Sequence, residues 1–200
     1  VCSAGMVPTP VVYFGQVENS FKSAAVVTAS HNPPEYTGFK FNLEGALAMS
    51  RSGGMEEIEN IYESQEFETG EGELRETDLT QNYIEAVKNE VGDIGISVAI
   101  NCGNGVTGVI AGEMFEELGC SVNMINEDVD GDFPNHLADP GSEEARKVLK
   151  EGMNGEDIGI IFDGDGDRAG FILPGHGYVD EDEVIALFAE ESLEKTEGAV

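Results

Sequence analysis

Short apolar runs alternate with polar, glycine-containing turns along this chain, and their spacing sorts strands from helices. Val11-Val12-Tyr13-Phe14, closed by Gly15, reads as a β-rich run, and Ala24-Ala25-Val26-Val27-Thr28 as a buried strand. That strand leads into Ala29-Ser30-His31-Asn32-Pro33-Pro34, where the prolines exclude both helix and ladder pairing. A second short strand is predicted over 39–43, and Ile58, Ile61 and Tyr62 fall at helical spacing within 56–62. Residues 66–80 are acidic and aperiodic, which predicts a linker or surface loop. Thr80 is placed to cap a helix that presents Tyr83, Ile84 and Val87 on one face. A β-α-β unit follows: strand 97–100, helix 109–118, strand 121–125. A helix over 143–149, strands over 158–162 and 171–173, and a helix over 181–193 complete the pattern. This alternation predicts an α/β fold of mixed, mainly parallel sheets with helices packed on them.

Composition narrows the partners. Forty acidic residues against ten basic ones give a formal charge of -30 at pH 7. Such a field repels nucleic acid and anionic membrane surfaces, so neither is an expected partner. It suits a salt-rich cytoplasm, where screening limits self-repulsion. Cys2, Cys102 and Cys120 form no CxxC pair, which argues against a disulfide framework or zinc site and for a reducing, cytoplasmic setting. No apolar stretch approaches the ~20 residues of a membrane span. The start at Val1-Cys2-Ser3-Ala4-Gly5 has no basic n-region and reads as the middle of a strand-turn unit. The end at Glu197-Gly198-Ala199-Val200 also stops mid-pattern, so both ends are expected to be cut.

Three constellations carry chemistry. Asp163-Gly164-Asp165-Gly166-Asp167-Arg168 follows an apolar strand directly, at the carboxyl end where α/β sheets place ligands. The glycines let the backbone curl so that the three carboxylates converge, and convergence demands a cation. Hard oxygen donors with few protein ligands suit Mg²⁺. An EF-hand would need Gly and Glu where Arg168 and Pro174 stand, leaving a solvated acidic turn as the alternative.

The second is Thr28-Ala29-Ser30-His31-Asn32-Pro33. A serine at a strand end, beside a histidine and held by prolines, suits nucleophilic or phosphoryl chemistry, although a plain polar turn reads the same way. Lys40, between two phenylalanines expected to be buried, would point to the opposite face as an acid-base group or an ordinary surface lysine. Residues 1–52 hold three acids (Glu18, Glu35, Glu44) and three bases (Lys22, Lys40, Arg51), so the serine segment escapes the general acidity, as an anion site requires. The third is Gly103-Asn104-Gly105-Val106-Thr107-Gly108, with Glu127 or Asp128 about 20 residues on. It fits either an NAD-dependent oxidoreductase fingerprint or a tight β-α turn.

Taken together, the serine loop with Tyr36, Gly38 and Lys40, and the aspartate loop, resemble the α-D-phosphohexomutase superfamily. Val7-Pro8-Thr9-Pro10, Asn101-Cys102-Gly103-Asn104-Gly105 and Asp130-Gly131-Asp132-Phe133-Pro134-Asn135-His136 extend the resemblance in order along the chain. It implies a heart-shaped, four-domain enzyme interconverting hexose 6-phosphate and hexose 1-phosphate, of phosphomannomutase, phosphoglucomutase or phosphoglucosamine mutase type. Residues 1–78 would be part of domain I, 79–178 domain II, and 179–200 the start of domain III. Ser30 would be phosphorylated, its phosphate completing a Mg²⁺ site with Asp163, Asp165 and Asp167. Lys40 would transfer protons, His31 would assist beside the phosphoserine, and Arg168 would contact substrate or phosphate. Hexose 1,6-bisphosphate would serve as intermediate and activator. The chain departs from the family pattern at Thr37, commonly Asn, and at Asp139-Pro140-Gly141, commonly Pro-Asn-Pro. The family's opening Gly-Ile-Arg-Gly segment, sugar-selecting loop and last phosphate-binding loop are not in the chain, so turnover by this piece alone is not expected. A non-catalytic sugar-phosphate-binding fragment is the remaining alternative.

Overall fold

Residues 1–195 are described by a computed structural model, in which the apolar runs sort into three sheets and six α-helices. Strand β1 (Cys2–Ser3) pairs in parallel with β5 (Arg75–Glu76), tying the start of the chain to the end of the acidic loop. Between them lie α1 (Thr9–Glu18), the antiparallel strands β2 (Ser23–Val27), β3 (Phe39–Leu43) and β4 (Leu47–Ala48), and α2 (Met55–Ser64). The second part holds α3 (Thr80–Val91), β6 (Ser97–Asn101), α4 (Ala111–Glu117), β7 (Ser121–Ile125) and α5 (Glu143–Gly152). Strands β8 (Ile158–Phe162), β9 (Ala169–Leu173) and β10 (Gly177–Val179) follow, then α6 (Glu181–Lys195). Their sheet runs β10-β9-β8-β6-β7, parallel from β8 through β6 to β7 and antiparallel at β9 and β10.

Alternation along β6 explains why this sheet is covered on both faces. Val98 and Ile100 join Ala111, Leu118 and Cys120 in one core, while Ala99 joins Ala145, Leu149 and Ile161 in the other. Helix α5 starts where Ser142 accepts the Ala145 N–H at 3.2 Å, with Glu143 and Glu144 in its first turn. A third cluster, Val11, Leu79 and Ile110, joins α1 to the second part.

Several expectations are corrected. Residues 11–14 are helical, not β: Pro10 is tolerated in the first turn of α1, and Val11 with Gly15 forms one face beneath Leu79. Tertiary packing thus overrides the β preference of two adjacent valines. Strand β2 is an edge strand, with Val27 exposed rather than buried. The faces of β3 are the reverse of a buried-phenylalanine reading: Phe39 is exposed with Phe41 stacked on it at 5.7 Å, while Asn42 is buried and Lys40 points at Asp165 and Asp167. Thr80 is the first residue of α3 and receives a cap instead of supplying one, its N–H donating to Asp78 Oδ1 at 2.9 Å. Helix α6 lies where a helix over 181–193 is expected, and residues 196–200 lie outside the described residues. Among the described residues, no helix is long and apolar enough to cross a membrane.

All three cysteines are free, Cys2 exposed and the other two buried. Burial pushes the Cys102 thiol up to about 11, with Glu127 adding to the effect and a Thr107 hydrogen bond opposing it. A thiol whose pKa is raised by folding stabilises the native state below the unfolded pKa and loses that contribution as pH rises toward 11. Iodoacetamide at pH 8 is expected to modify Cys2 alone in the native protein and all three residues in denaturant. Native labelling of Cys102 would contradict this packing.

Candidate active site

Two loops from different sheets meet here. Strand β2 ends at Val27, and Ser30 adopts φ +55°, an uncommon left-handed conformation for a residue with a side chain. The Ser30 N–H donates to Thr28 Oγ1 at 2.8 Å, which holds the turn. Strand β8 ends at Phe162, and Asp163 to Arg168 curls back so that the Asp163 N–H donates to the Arg168 carbonyl at 3.1 Å. Gly164 is required where the loops touch: a Cβ there would lie 2.3 Å from the Ser30 carbonyl oxygen.

Ser30 Oγ donates to Asp163 Oδ2 at 3.0 Å. Asp163 is fully buried, and its Oδ1 accepts the N–H groups of Asp167 and Arg168 at 3.0 and 3.1 Å. The Arg168 guanidinium donates to Asp163 Oδ2 through Nε at 3.1 Å and Nη2 at 3.0 Å. Arg168 Nη2 also reaches Ser30 Oγ at 3.3 Å and contacts His31 Nδ1, which itself lies 3.4 Å from Ser30 Oγ. Lys40 Nζ bridges Asp165 Oδ2 at 2.5 Å and Asp167 Oδ2 at 2.6 Å. All six residues singled out from sequence around the serine and aspartate loops, together with Lys40, therefore converge on one place.

Electrostatics divide the carboxylates. Burial, reinforced by the neighbouring Asp165 charge, raises the pKa of Asp163. Burial acts the same way on Asp165, but hydrogen bonds from Lys40 and Thr9 outweigh it and hold that pKa below the usual value. Burial would lower the Lys40 pKa, yet its bonds to Asp165 and Asp167 raise it, so the group stays an ammonium.

The donor set fits a hard divalent cation. Asp163, Asp165 and Asp167 offer oxygens within 4.8 Å of one another, and Asp165 Oδ1 is buried without a hydrogen-bond partner in the protein. Among the described residues, this is the one such group of three potential ligands.

The glycine-rich turn serves a different end. A Cβ at Gly105 would lie 2.9 Å from the Gly164 carbonyl, and one at Gly108 only 1.8 Å from the Glu127 carbonyl. Protein backbone presses on both glycines, as the tight β-α turn requires, and this favours that reading of the motif over the oxidoreductase one. A groove of 1120 Å³ runs along β1 and β2 and is lined by Thr28, Gly164 and Asp165 but not by Ser30.

Sequence reasoning missed the supports. Thr9, fully buried, donates to Asp165 Oδ2 at 2.5 Å. The Gly164 N–H donates to the Ala138 carbonyl at 3.1 Å, and buried His136 beside it lies 3.0 Å from Asn101 Nδ2. Tyr13 on α1 is near enough for Lys40 and Asp167 to act on it, although burial is the main cause of its raised pKa. Local spacing gives no signal for these supports, because their partners lie far away along the chain.

Residues 1–69 match the model of phosphoglucomutase/phosphomannomutase alpha/beta/alpha domain I, and residues 63–176 match that of domain II. A phosphomannomutase/phosphoglucomutase of Pseudomonas aeruginosa is 36% identical over 202 residues, covering 100% of this chain and 43% of that protein. A phosphoglucomutase of Neisseria meningitidis serogroup B is 35% identical over 204 residues, covering 100% of this chain and 44% of its own length. The chain thus spans less than half the length of the curated relatives it matches. A crystal structure of a phosphoglucomutase/phosphomannomutase family protein from Burkholderia thailandensis superposes with a TM-score of 0.86 at 34% identity, over 98% of this chain and 44% of that one. With both family domains matched in order and their junction forming the site, the chain belongs to the phosphoglucomutase/phosphomannomutase family.

Proposed function

We propose that the protein is a phosphohexomutase, moving a phosphoryl group between O1 and O6 of a hexose through a phosphoserine at Ser30. The observation that carries this reading is the 3.0 Å contact between Ser30 Oγ and Asp163, made across 133 positions and flanked by Arg168 and Lys40. The names of the relatives support the same reaction class. The proposal includes the division into residues 1–78, 79–178 and 179–200. The β1–β5 pairing supports its first boundary by tying residues 75–76 back to residues 2–3.

Asp163, Asp165 and Asp167 would hold Mg²⁺ together with the phosphate on Ser30. When bound, the ion neutralises charge on the phosphoryl oxygens. The rest falls to this chain's own groups, since phosphoryl transfer depends on positioning and charge more than on covalent chemistry. The Ser30 Oγ–P bond breaks as an O–P bond forms to a sugar hydroxyl, and the hydroxyl proton ends on Ser30 Oγ. Lys40 is the proton-transfer group, arriving as an ammonium and therefore as a donor toward the leaving serine oxygen. Arg168, already 3.3 Å from Ser30 Oγ, binds phosphoryl oxygens, and His31 assists beside it. The product of this step is a hexose 1,6-bisphosphate, which reorients and returns its other phosphoryl group to Ser30. Supplied from outside, the same compound would charge the serine and act as activator.

Peptide mass spectrometry across Ser30, after incubation with Mg²⁺ and glucose 1,6-bisphosphate, tests the reading. A phosphate on Ser30 that is discharged by hexose monophosphate is the expected result. Asp165→Asn is expected to abolish that phosphate while leaving the circular dichroism spectrum unchanged. Charging of Ser30 that persists in Asp165→Asn would refute the metal assignment. Hexose phosphate interconversion with no phosphate on Ser30 would refute the nucleophile.

A further inference from the structure

Thr9 stands where the two parts of the chain meet, outside both reactive loops. It opens α1, is fully buried, and makes two hydrogen bonds to one residue 156 positions away. Its N–H donates to the Asp165 carbonyl at 2.9 Å, and its Oγ1 donates to Asp165 Oδ2 at 2.5 Å. The first N–H groups of a helix have no partner within the helix, so the aspartate loop completes the start of α1. The side-chain bond does something different: with the main chain of Asp165 already fixed, it fixes the rotation of the carboxylate as well. Neighbours close the space around this contact, because a Cβ at Gly166 would lie 2.5 Å from Thr107 Cγ2 and 3.3 Å from Pro8 Cβ.

The consequence for Asp165 is directional. Its Oδ2 is taken by Thr9 and by Lys40, each at 2.5 Å. Its Oδ1 is buried with no partner in the protein, and Asp165 is one of the three carboxylates that converge. A carboxylate tied down through one oxygen offers the other in a single direction. Without the Thr9 bond, Lys40 alone would hold it, through a long and partly exposed side chain.

We infer that Thr9 is a positioning residue for the divalent cation, anchoring Asp165 Oδ2 so that Oδ1 is the oxygen presented to the ion. This rests on the reading of the three aspartates as a cation site. Thr9 touches neither the ion nor the sugar phosphate and acts only through Asp165. Hydrogen-bond partners of metal ligands typically contribute ten- to hundredfold to metal affinity.

Manganese(II) alone is the probe, with free Mn²⁺ read by electron paramagnetic resonance and the unfolding midpoint recorded in parallel. The unsubstituted protein is expected to bind Mn²⁺ at a site lost in Asp163→Asn. Thr9→Val keeps the volume and removes the donor, and is expected to weaken that site at least about tenfold. Thr9→Ser keeps the donor and is expected to restore it, whatever the midpoint does. If Thr9→Val does not fold, Thr9→Ala makes the same comparison without setting a methyl group against the carboxylate. Two results would overturn the inference while leaving the cation site intact: unchanged Mn²⁺ affinity in the variants lacking the hydroxyl, or an equal loss in Thr9→Ser. Failure of the unsubstituted protein to bind Mn²⁺ at the aspartates would instead remove the site, and this inference with it.

Discussion

Replacing Ser30 by alanine in the full-length protein is expected, on the proposed reading, to lower hexose phosphate interconversion by on the order of 10⁴-fold, the scale seen when a nucleophile acting as part of a unit is removed. The loss should fall on turnover, because the groups proposed to grip the phosphate remain. Arg168 keeps both bonds to Asp163, and Lys40 keeps its bridge between Asp165 and Asp167. Stability should change by about 1 kcal/mol or less, since a single partly exposed hydroxyl bond is lost and Asp163 retains its backbone and guanidinium donors. Steady-state kinetics against hexose monophosphate, with the phosphopeptide as a second readout, decides the matter. A variant that kept a tenth of the activity would place the nucleophile elsewhere.

Gly108→Ala is expected to have the largest effect on stability. Its Cβ would sit 1.8 Å from the Glu127 carbonyl oxygen, a backbone atom that can move only if the segment after β7 moves with it. Inserting atoms into a closed contact costs about 3 kcal/mol or more, and for a chain of this size that lowers the melting midpoint by roughly 10 °C. Gly131→Ala is the matched control, since nothing lies within 4 Å of its Cβ, and a change within about 0.5 kcal/mol is expected. Differential scanning calorimetry of the pair tests whether the glycine-rich turn exists for packing. A small effect of Gly108→Ala would reopen the turn to a ligand.

Legibility in the sequence followed locality. The aspartate loop was readable because its three carboxylates alternate with glycine directly after an apolar strand, so one short window contains both position and chemistry. The core strands β6 and β8 were readable for the same reason, each a continuous apolar run flanked by turns. Ser30 alone was ambiguous. Only its resemblance to a family linked it to Asp163, because a contact across 133 positions leaves no trace in local periodicity.

Errors arose where tertiary partners outvoted local preference. Val11 and Val12 favour a strand, but the apolar surface offered by Leu79 and Ile110 rewards a helix at that place. Phenylalanines usually mark the inner face of a strand, yet in β3 the inner face belongs to Lys40 and Asn42, because the acidic loop needs a cation more than that sheet needs two more rings. Strands β1, β4 and β5, two residues each, are too short to have a period at all. Thr9 is the clearest case of the unreadable: one hydroxyl in a Val-Pro-Thr-Pro stretch, given meaning only by an aspartate far along the chain.

The meeting of Ser30 with Asp163 has a mechanical side. One tip is carried by the sheet of β2 and the other by the sheet of β8, and no disulfide holds them together. The seam of Val11, Leu79 and Ile110 packs the helix before the serine loop against the part that carries the aspartates, so the seat of one tip on the other depends on it. Such placement matters at the serine oxygen, where a shift of about 1 Å can change the proposed transfer on the order of 10²-fold. Gly15 leaves that seam no slack, since a Cβ there would lie 2.3 Å from Leu79 Cδ1, so a larger residue is expected to be felt at two atoms it never touches.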